Sequence, residues 1–155
     1  MERRPRDPEV WRHLFQDDGC LPNNPKLPLL VYLGALSVYD DLSSECEAWS
    51  GENGWGGAWR GRVFTYYHHY HSSVHKVLGI VRGTAHLALD GESGAALELE
   101  TGDVAVTVAG VGQCNQGPAR AFWPLAPTRV GSPATCAPAS LANDPRSSRT
   151  CAGWR

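Results

Sequence analysis

The most constraining feature of this sequence is a series of short segments in which apolar and polar residues alternate. Side chains point to opposite faces at successive positions of a strand, so a period of two predicts β-strands. The predicted strands are Val63–His71, Lys76–Arg82, Thr84–Leu89, Ala95–Glu100 and Val104–Val108. Turn residues such as Asp90-Gly91 and Thr101-Gly102-Asp103 separate them and suit tight reversals between antiparallel strands. Strands this short and this regularly interrupted favour a closed barrel or jelly roll over an open sheet.

Three further elements are predicted ahead of this β-rich region. His13–Gln16 is typical of a short edge strand, and Leu29–Leu33 is typical of a buried strand after a proline-rich loop. Leu42–Ser50 has a modest helical pattern, in which Ser44 and Glu47 have the spacing of a capping box. We therefore expect one short surface helix. Nearby tryptophans should pack it against the sheet; they are Trp49, Trp55 and Trp59.

Composition divides the 155-residue chain into a polar leader (residues 1–12), a barrel domain (13–117) and a tail (118–155). The tail holds 6 of the 11 prolines and only four residues of the large aliphatic and phenylalanine set. So little apolar area cannot offset the roughly 1–2 kcal/mol per residue of backbone ordering entropy. We therefore predict a disordered tail and a barrel without its last strands. A shift of reading frame near Gly117 and a lineage-specific linker are alternative explanations of this change.

Charge, apolar runs and cysteines exclude several functions. Residues 1–117 carry 15 acidic and 9 basic side chains, and an acidic body repels nucleic-acid phosphates, so no nucleic-acid partner is expected. The longest apolar run, Leu27–Leu36, is about half the roughly 20 residues that a membrane span needs. The charged N-terminus predicts neither a signal peptide nor an anchor. Five cysteines without a Cys-x-x-Cys pair argue against a disulfide framework. We expect a cytoplasmic protein with reduced thiols.

Four of the six histidines lie within eight residues, at His68, His69, His71 and His75. On an extended strand His69 and His71 point to one face, whereas His68 points to the other. Two imidazoles on one face provide half of a metal site. Alternatively, both are interior residues that only make hydrogen bonds. His68 and His86 are expected at the surface.

The spacing around these histidines resembles the two motifs of the cupin superfamily. The first motif is Gly, His-x-His, four residues, Glu, six residues, Gly; it corresponds to Gly61, His69-Tyr70-His71, Lys76 and Gly83. The second is Gly, five residues, Pro-x-Gly, two residues, His; it corresponds to Gly102, Val108-Ala109-Gly110 and Gln113. Three further segments resemble small uncharacterised bacterial cupins of the YjlB type: the Pro22-Asn23-Asn24-Pro25 loop, the Asn53-Gly54-Trp55 turn and the His68–His71 run. The resemblance implies an all-β, double-stranded β-helix (jelly-roll) barrel with one short surface helix.

The resemblance also implies a candidate metal site. In the family the two His of the first motif, its Glu and the second-motif His hold one divalent metal. Here His69 and His71 would be ligands of iron, manganese, nickel or zinc. Lys76 stands at the Glu position and is not expected to ligate, because an ammonium has no free lone pair. Gln113 stands at the second-motif His position and is a weak donor, so metal binding is expected to be weak or absent.

Several alternatives stay open at these positions. Lys76 could point inward, where burial would lower its pKa and favour a role as base or Schiff-base nucleophile. Its ammonium could instead stand where the metal cation would and bind an anionic ligand. At the barrel rim it would be only a solvated charge, and we favour the rim because an unpaired interior charge is costly. His75 or Cys114 could replace a lost ligand.

Two functions remain. The first is a cupin-domain protein that resembles metal-binding small-molecule enzymes of unknown substrate, with weakened or lost metal binding. The alternative is a metal-free barrel that binds a small molecule or is structural, without catalysis. The resemblance further implies a homodimer that pairs through barrel edge strands.

Overall fold

The computed structural model describes residues 7–16, 23–36, 41–62, 69–71, 74–89, 95–115, 119–125 and 136–138. Within those residues the chain forms one helix, α1 (Leu42–Glu52), and eleven strands. In chain order the strands are β1 (Glu9–His13), β2 (Leu29–Leu33), β3 (Gly56–Arg62), β4 (His69–His71), β5 (Lys76–Gly83), β6 (Ala85–Leu89), β7 (Ala95–Leu99), β8 (Val104–Thr107), β9 (Gln113–Asn115), β10 (Ala119–Leu125) and β11 (Cys136–Pro138).

The strands form two antiparallel sheets whose neighbours are mostly not consecutive in the chain. The six-stranded sheet has the order β1-β2-β8-β5-β10-β3, and the five-stranded sheet has the order β11-β4-β9-β6-β7. From β4 to β6, and again from β8 to β10, each successive strand belongs to the other sheet. This alternation is the arrangement of a double-stranded β-helix. It confirms the predicted all-β fold with one short helix.

The hydrophobic core lies between the two sheets. Leu78 and Ile80 of β5 belong to the same buried cluster as Leu87 and Leu89 of β6, which is a strand of the other sheet. None of these four side chains is more than 4% exposed. Burying one such side chain stabilises the fold by about 1.5–3 kcal/mol. The even-numbered residues of β5 therefore face the interior of the barrel, and the odd-numbered residues of β6 face them.

The helix α1 covers the outer face of the six-stranded sheet. Its Cys46 belongs to a second buried cluster, against which Trp49, Val81 and Val104 pack. This contact confirms the predicted packing role for Trp49. Gly79 permits the close approach of helix and sheet, because a Cβ atom at this position would lie 2.5 Å from the Cys46 Sγ. In the described part of the chain no helix has the length and apolarity that crossing a bilayer requires.

The helix begins with a different cap from the predicted one. The Asp41 side chain accepts a hydrogen bond from the Ser43 backbone N–H at 3.1 Å and another from the Ser44 hydroxyl at 2.6 Å. Ser44 therefore lies in the first turn and donates to the cap, so the predicted capping box of Ser44 and Glu47 is wrong. A carboxylate at the N-cap also interacts favourably with the positive end of the helix dipole.

The boundary between leader and barrel lies closer to the N-terminus than predicted. Strand β1 (Glu9–His13) overlaps the segment assigned to the leader and pairs with β2 from Glu9 opposite Leu33 to His13 opposite Leu29. The predicted strand His13–Gln16 is displaced accordingly. Phe15 is only 1% exposed and belongs to the core cluster, so the chain leaves the strand there to enter the interior.

The prediction of a disordered tail is wrong for residues 119–125 and 136–138. Strand β10 lies between β5 and β3, and β11 pairs with β4. The composition averaged over the whole tail gives no sign of the short apolar segment that forms β10. This strand makes ladder hydrogen bonds with β5 on one side and β3 on the other. Pro124 stands where the register against β3 shifts between Trp123 and Leu125, and an irregularity of this kind tolerates a residue without an N–H. The rest of the predicted tail lies outside the described residues.

Candidate functional site

A cluster of polar side chains lies inside the barrel, and we call it the interior polar cluster. Five of its members are no more than 4% exposed, and the sixth, His71, is half-buried. Burying polar groups costs free energy unless they are hydrogen-bonded, so such a cluster is typical of a binding or catalytic site. Its members are His69 and His71 of β4, Lys76 of β5, Thr107 of β8, and Gln113 and Asn115 of β9.

Strands β4 and β9 bring the first and second motifs together. His69 is the register partner of Gln113, which in turn is the partner of Leu89. Partners in an antiparallel ladder point to the same face, and Leu89 is a core residue, so His69 and Gln113 face the interior. His71, two residues after His69, shares this face, and the two imidazole rings lie 5.5 Å apart between centroids at 79°. The structure therefore joins three of the predicted site residues.

Lys76 also faces the interior, so the preference for the rim is wrong. Its side chain is 4% exposed. It precedes Leu78 and Ile80 on the inward face of β5, and strand alternation fixes its direction regardless of its charge. Its register partner on β8 is Thr107, whose hydroxyl donates to the Lys76 carbonyl at 3.3 Å.

The turn between β8 and β9 fixes the backbone next to the cluster. The Gly110 N–H donates to the His71 carbonyl at 2.8 Å, and the Ala109 N–H donates to the His75 Nδ1 at 3.1 Å. The Asn24 side-chain amide donates to the Ala109 carbonyl at 3.0 Å. Gly110 has φ of 90°, a conformation that other residues adopt only with strain. The second-motif glycine thus positions the turn, and His75 supports the turn instead of replacing a ligand.

His71 is neutral at physiological pH. Burial first, and then electrostatic interactions with Lys76 and His69, lower the pKa of His71 from 6.5 to about 4. Its Nδ1 is buried and has no hydrogen-bond partner among the described residues. A neutral imidazole can accept a hydrogen bond at one ring nitrogen and donate one at the other. His71 therefore offers a buried polar nitrogen close to Lys76.

The lowered pKa of His71 predicts the direction of a pH effect on stability. In the window from pH 6.5 down to about 4, a proton binds this residue in the unfolded chain but not in the folded one. The free energy of unfolding should therefore fall as pH decreases through the window. We expect the urea midpoint to fall less steeply there in His71→Gln than in the native protein. Identical slopes in His71→Gln and in the native protein would contradict the prediction.

Cys114 does not replace a missing ligand. It is the register partner of Ala88 and alternates with Gln113 along β9, so it lies on the opposite face from the interior polar cluster. Burial also raises the pKa of its thiol, which disfavours the thiolate form that binds metals. His86 is exposed, and its Nδ1 lies 3.2 Å from the Glu98 Oε2, which confirms the predicted surface position. His68 lies outside the described residues.

The described residues do not fit the divalent metal that the motifs imply. Nowhere in the described ranges do three His, Cys, Asp or Glu side chains group as ligands. Lys76 places a positive charge close enough to His71 to lower its pKa, and the same charge repels a metal cation. The Gln113 amide is a weak ligand in place of an imidazole.

Sequence reasoning located the histidines, Lys76 and Gln113 but missed three polar residues. Thr107 and Asn115 flank motif positions and lie on the same inward faces as Lys76 and Gln113. Thr107 alternates with Val106, and Asn115 alternates with Cys114, and this alternation could have indicated that Thr107 and Asn115 point inward. Asn24 lies in the proline-rich loop, and its distance in sequence from the turn gave no sign of the contact.

Two antiparallel sheets that enclose a polar cluster define a cupin-type double-stranded β-helix barrel. The sequence is similar to that of the uncharacterized protein YjlB of Bacillus subtilis (strain 168), with 42% identity over 104 residues. The aligned part is 67% of this chain and 60% of YjlB, so the chain spans less than two thirds of that relative. The resemblance to proteins of the YjlB type is thereby confirmed. No family model matches the sequence.

Three solved structures with some similarity to this chain illustrate the comparison. An uncharacterized Klebsiella pneumoniae protein with a double-stranded β-helix domain is 15% identical, with 88% of this chain and 84% of that chain covered and a TM-score of 0.37. Acireductone dioxygenase from Bacillus anthracis, with cadmium in its active centre, is 18% identical (57% and 60% covered, TM-score 0.39). A dTDP-4-dehydrorhamnose 3,5-epimerase from Bacillus anthracis, with TDP and PPi bound, is 10% identical (84% and 78% covered, TM-score 0.38).

Proposed function

We propose that this barrel binds a small anionic molecule, such as a carboxylate, without a divalent metal. The observation that supports the proposal is the position of Lys76. The residue is 4% exposed and its side chain faces the barrel interior, at the position where the family has a metal-binding glutamate. A fixed positive charge in place of a carboxylate and a metal cation favours an anion at the same site.

The neighbours of Lys76 suit this role. An ammonium has three donors, so Lys76 can keep a partner within the cluster and still donate to a ligand oxygen. His71 is neutral and has a buried Nδ1, while Thr107 and Gln113 add polar groups without negative charge. A hydrogen bond between charged groups contributes about 1.5–3 kcal/mol, or roughly 10–150-fold in affinity. Binding of an anion would also reduce the cost of keeping the lysine charge in the interior.

The chain offers a matched control, because its two lysines are Lys26 and Lys76. Lys26 is exposed in the loop before β2. We expect acetate, succinate or inorganic phosphate to raise the melting temperature of the native protein and of Lys26→Met. The increase should be lost in Lys76→Met, because a ligand stabilises only a protein that still binds it.

Three results would contradict the proposal. These are the absence of stabilisation by any of the three anions, equal stabilisation of Lys76→Met, and a stoichiometric divalent metal in protein purified without a histidine tag. The last result would favour the alternative, a metal-dependent enzyme of the cupin type, in which His69 and His71 bind the metal.

A further inference from the structure

One buried atom of the interior polar cluster lacks a hydrogen-bond partner. The His71 Nδ1 is closed to solvent and bonds to none of the described residues. A buried donor or acceptor without a partner destabilises a fold, so its presence in a native protein needs a reason. Within the cluster, His71 is also the most exposed residue. It therefore lies where a molecule that enters the cluster would meet it.

The backbone of His71 is fixed, but its imidazole ring can turn. The Gly110 N–H donates to the His71 carbonyl at 2.8 Å, and Cys136 of β11 is the register partner of His71. The torsion about the Cβ–Cγ bond of a histidine has two broad preferred states. A half-turn about this bond exchanges Nδ1 with Cδ2 and brings the nitrogen to the opposite edge of the ring. His71 can thus present Nδ1 to a ligand without a change in the strand.

The charges and hydrogen-bonding groups of the cluster restrict what such a ligand can be. Lys76 is the only lysine or arginine among the members of the cluster, and none of them is acidic. The Thr107 hydroxyl donates to the Lys76 carbonyl at 3.3 Å, so its oxygen can only accept from a ligand. A ligand that suits these groups carries one anionic group for Lys76. Next to it, the ligand carries a neutral group that can also donate a hydrogen bond.

We propose that the anion is a 2-hydroxy carboxylate such as lactate, with its carboxylate on Lys76 and its hydroxyl on the His71 Nδ1. This inference rests on the proposed anion site and specifies its ligand. A hydroxyl donates and accepts, so it satisfies Nδ1 in either tautomer of a neutral imidazole, whereas a plain carboxylate only accepts. The 2-position puts hydroxyl and carboxylate on adjacent carbons. This spacing suits Lys76 and His71, which lie close enough to interact electrostatically.

The test compares acids that differ by one hydroxyl group. Lactate is titrated against propionate, and malate against succinate, into the full-length native protein at neutral pH and constant ionic strength, with calorimetric detection. Each hydroxy acid should bind roughly 3–10-fold more tightly than its partner, which is the effect of one additional hydrogen bond. The NMR chemical shift of the His71 Nδ1 should change on addition of lactate much more than on addition of propionate.

Variants of His71 separate the hydroxyl contact from the charge contact. His71→Phe keeps an aromatic ring but has no ring nitrogen, so it should bind lactate and propionate equally and keep the native affinity for propionate. His71→Asn places an amide near the position of Nδ1 and should retain part of the preference for lactate. His86→Phe is the matched control and should keep the full preference, because His86 is exposed and contacts Glu98 outside the cluster. Lys76→Met should bind neither acid.

The outcomes distinguish this inference from the proposed function on which it rests. Equal affinities of the native protein for lactate and propionate would overturn the hydroxy-acid inference and leave the anion site in place. Binding of neither acid would overturn both. A preference for lactate that persists in His71→Phe, folded by circular dichroism, would also overturn the inference. If His71→Phe does not fold, the NMR comparison on the native protein decides, and equal changes at Nδ1 with the two acids would contradict the inference.

Discussion

A chain that ends after Gly117 is expected not to fold. The truncation removes β10, which lies between β5 and β3 in the six-stranded sheet. Strand β3 would then lose its partner strand, and β5 would become an open edge. Each lost ladder hydrogen bond contributes about 0.5–1.5 kcal/mol, so the loss of both ladders is comparable with the about 5–15 kcal/mol stability of a typical domain.

The comparison needs a second truncation that keeps β10. A chain that ends after Pro138 retains every strand of the described structure. We expect this chain to show a cooperative thermal transition by circular dichroism, and the chain that ends after Gly117 to show none. Similar melting temperatures for the two chains would mean that β10 contributes little, and would restore the prediction that the barrel ends at residue 117.

The fold could be predicted from the sequence wherever the alternation was long enough to be read locally. Leu29–Leu33 and the strands between residues 76 and 107 match the structure to within one residue at each end, because their inward faces are mostly apolar and their turns contain glycine. Strand β10 could not be found in the same way. Its stability depends on strands β3 and β5, which are distant in sequence, and an average over the whole tail conceals its short apolar segment.

The site shows a similar division between local and distant signals. Motif spacing and strand alternation were sufficient to predict that His69 and His71 share a face. For Lys76 two arguments conflicted, because the cost of burying a charge favoured the rim while alternation with Leu78 and Ile80 favoured the interior. The structure follows alternation, since turning Lys76 outward would also turn the core residues of β5 outward. The contact of Asn24 with the β8–β9 turn had no local signal.

The double variant Lys76→Glu/Gln113→His is expected to bind a divalent metal tightly. Lys76 and Gln113 already face the interior with His69 and His71, so the double variant would complete three imidazoles and one carboxylate. Burial is the main cause of the lowered pKa of His71, and the double variant removes the second cause, the charge of Lys76. Disturbing even a residue behind a metal ligand commonly costs about 10–100-fold in affinity, so restoring two ligands should gain at least that much.

Titration with Zn²⁺ or Mn²⁺, followed by calorimetry, measures this difference between the native protein and the double variant. Adding His69→Ala and His71→Ala to the double variant provides the blank, because it keeps the new carboxylate and imidazole but removes the original pair. Lys26→Glu, on the exposed loop, controls for the change in net charge.

Two outcomes would contradict the prediction. Equal, tight binding by the native protein would mean that ligands outside the described residues complete its site, and would favour the metal-dependent function over the anion-binding one. A folded double variant that binds no more tightly than the blank would mean that β4, β5 and β9 do not bring these four positions within reach of one ion. The proposed anion site would then need a different explanation, because it depends on the same convergence of Lys76 with His71 and Gln113.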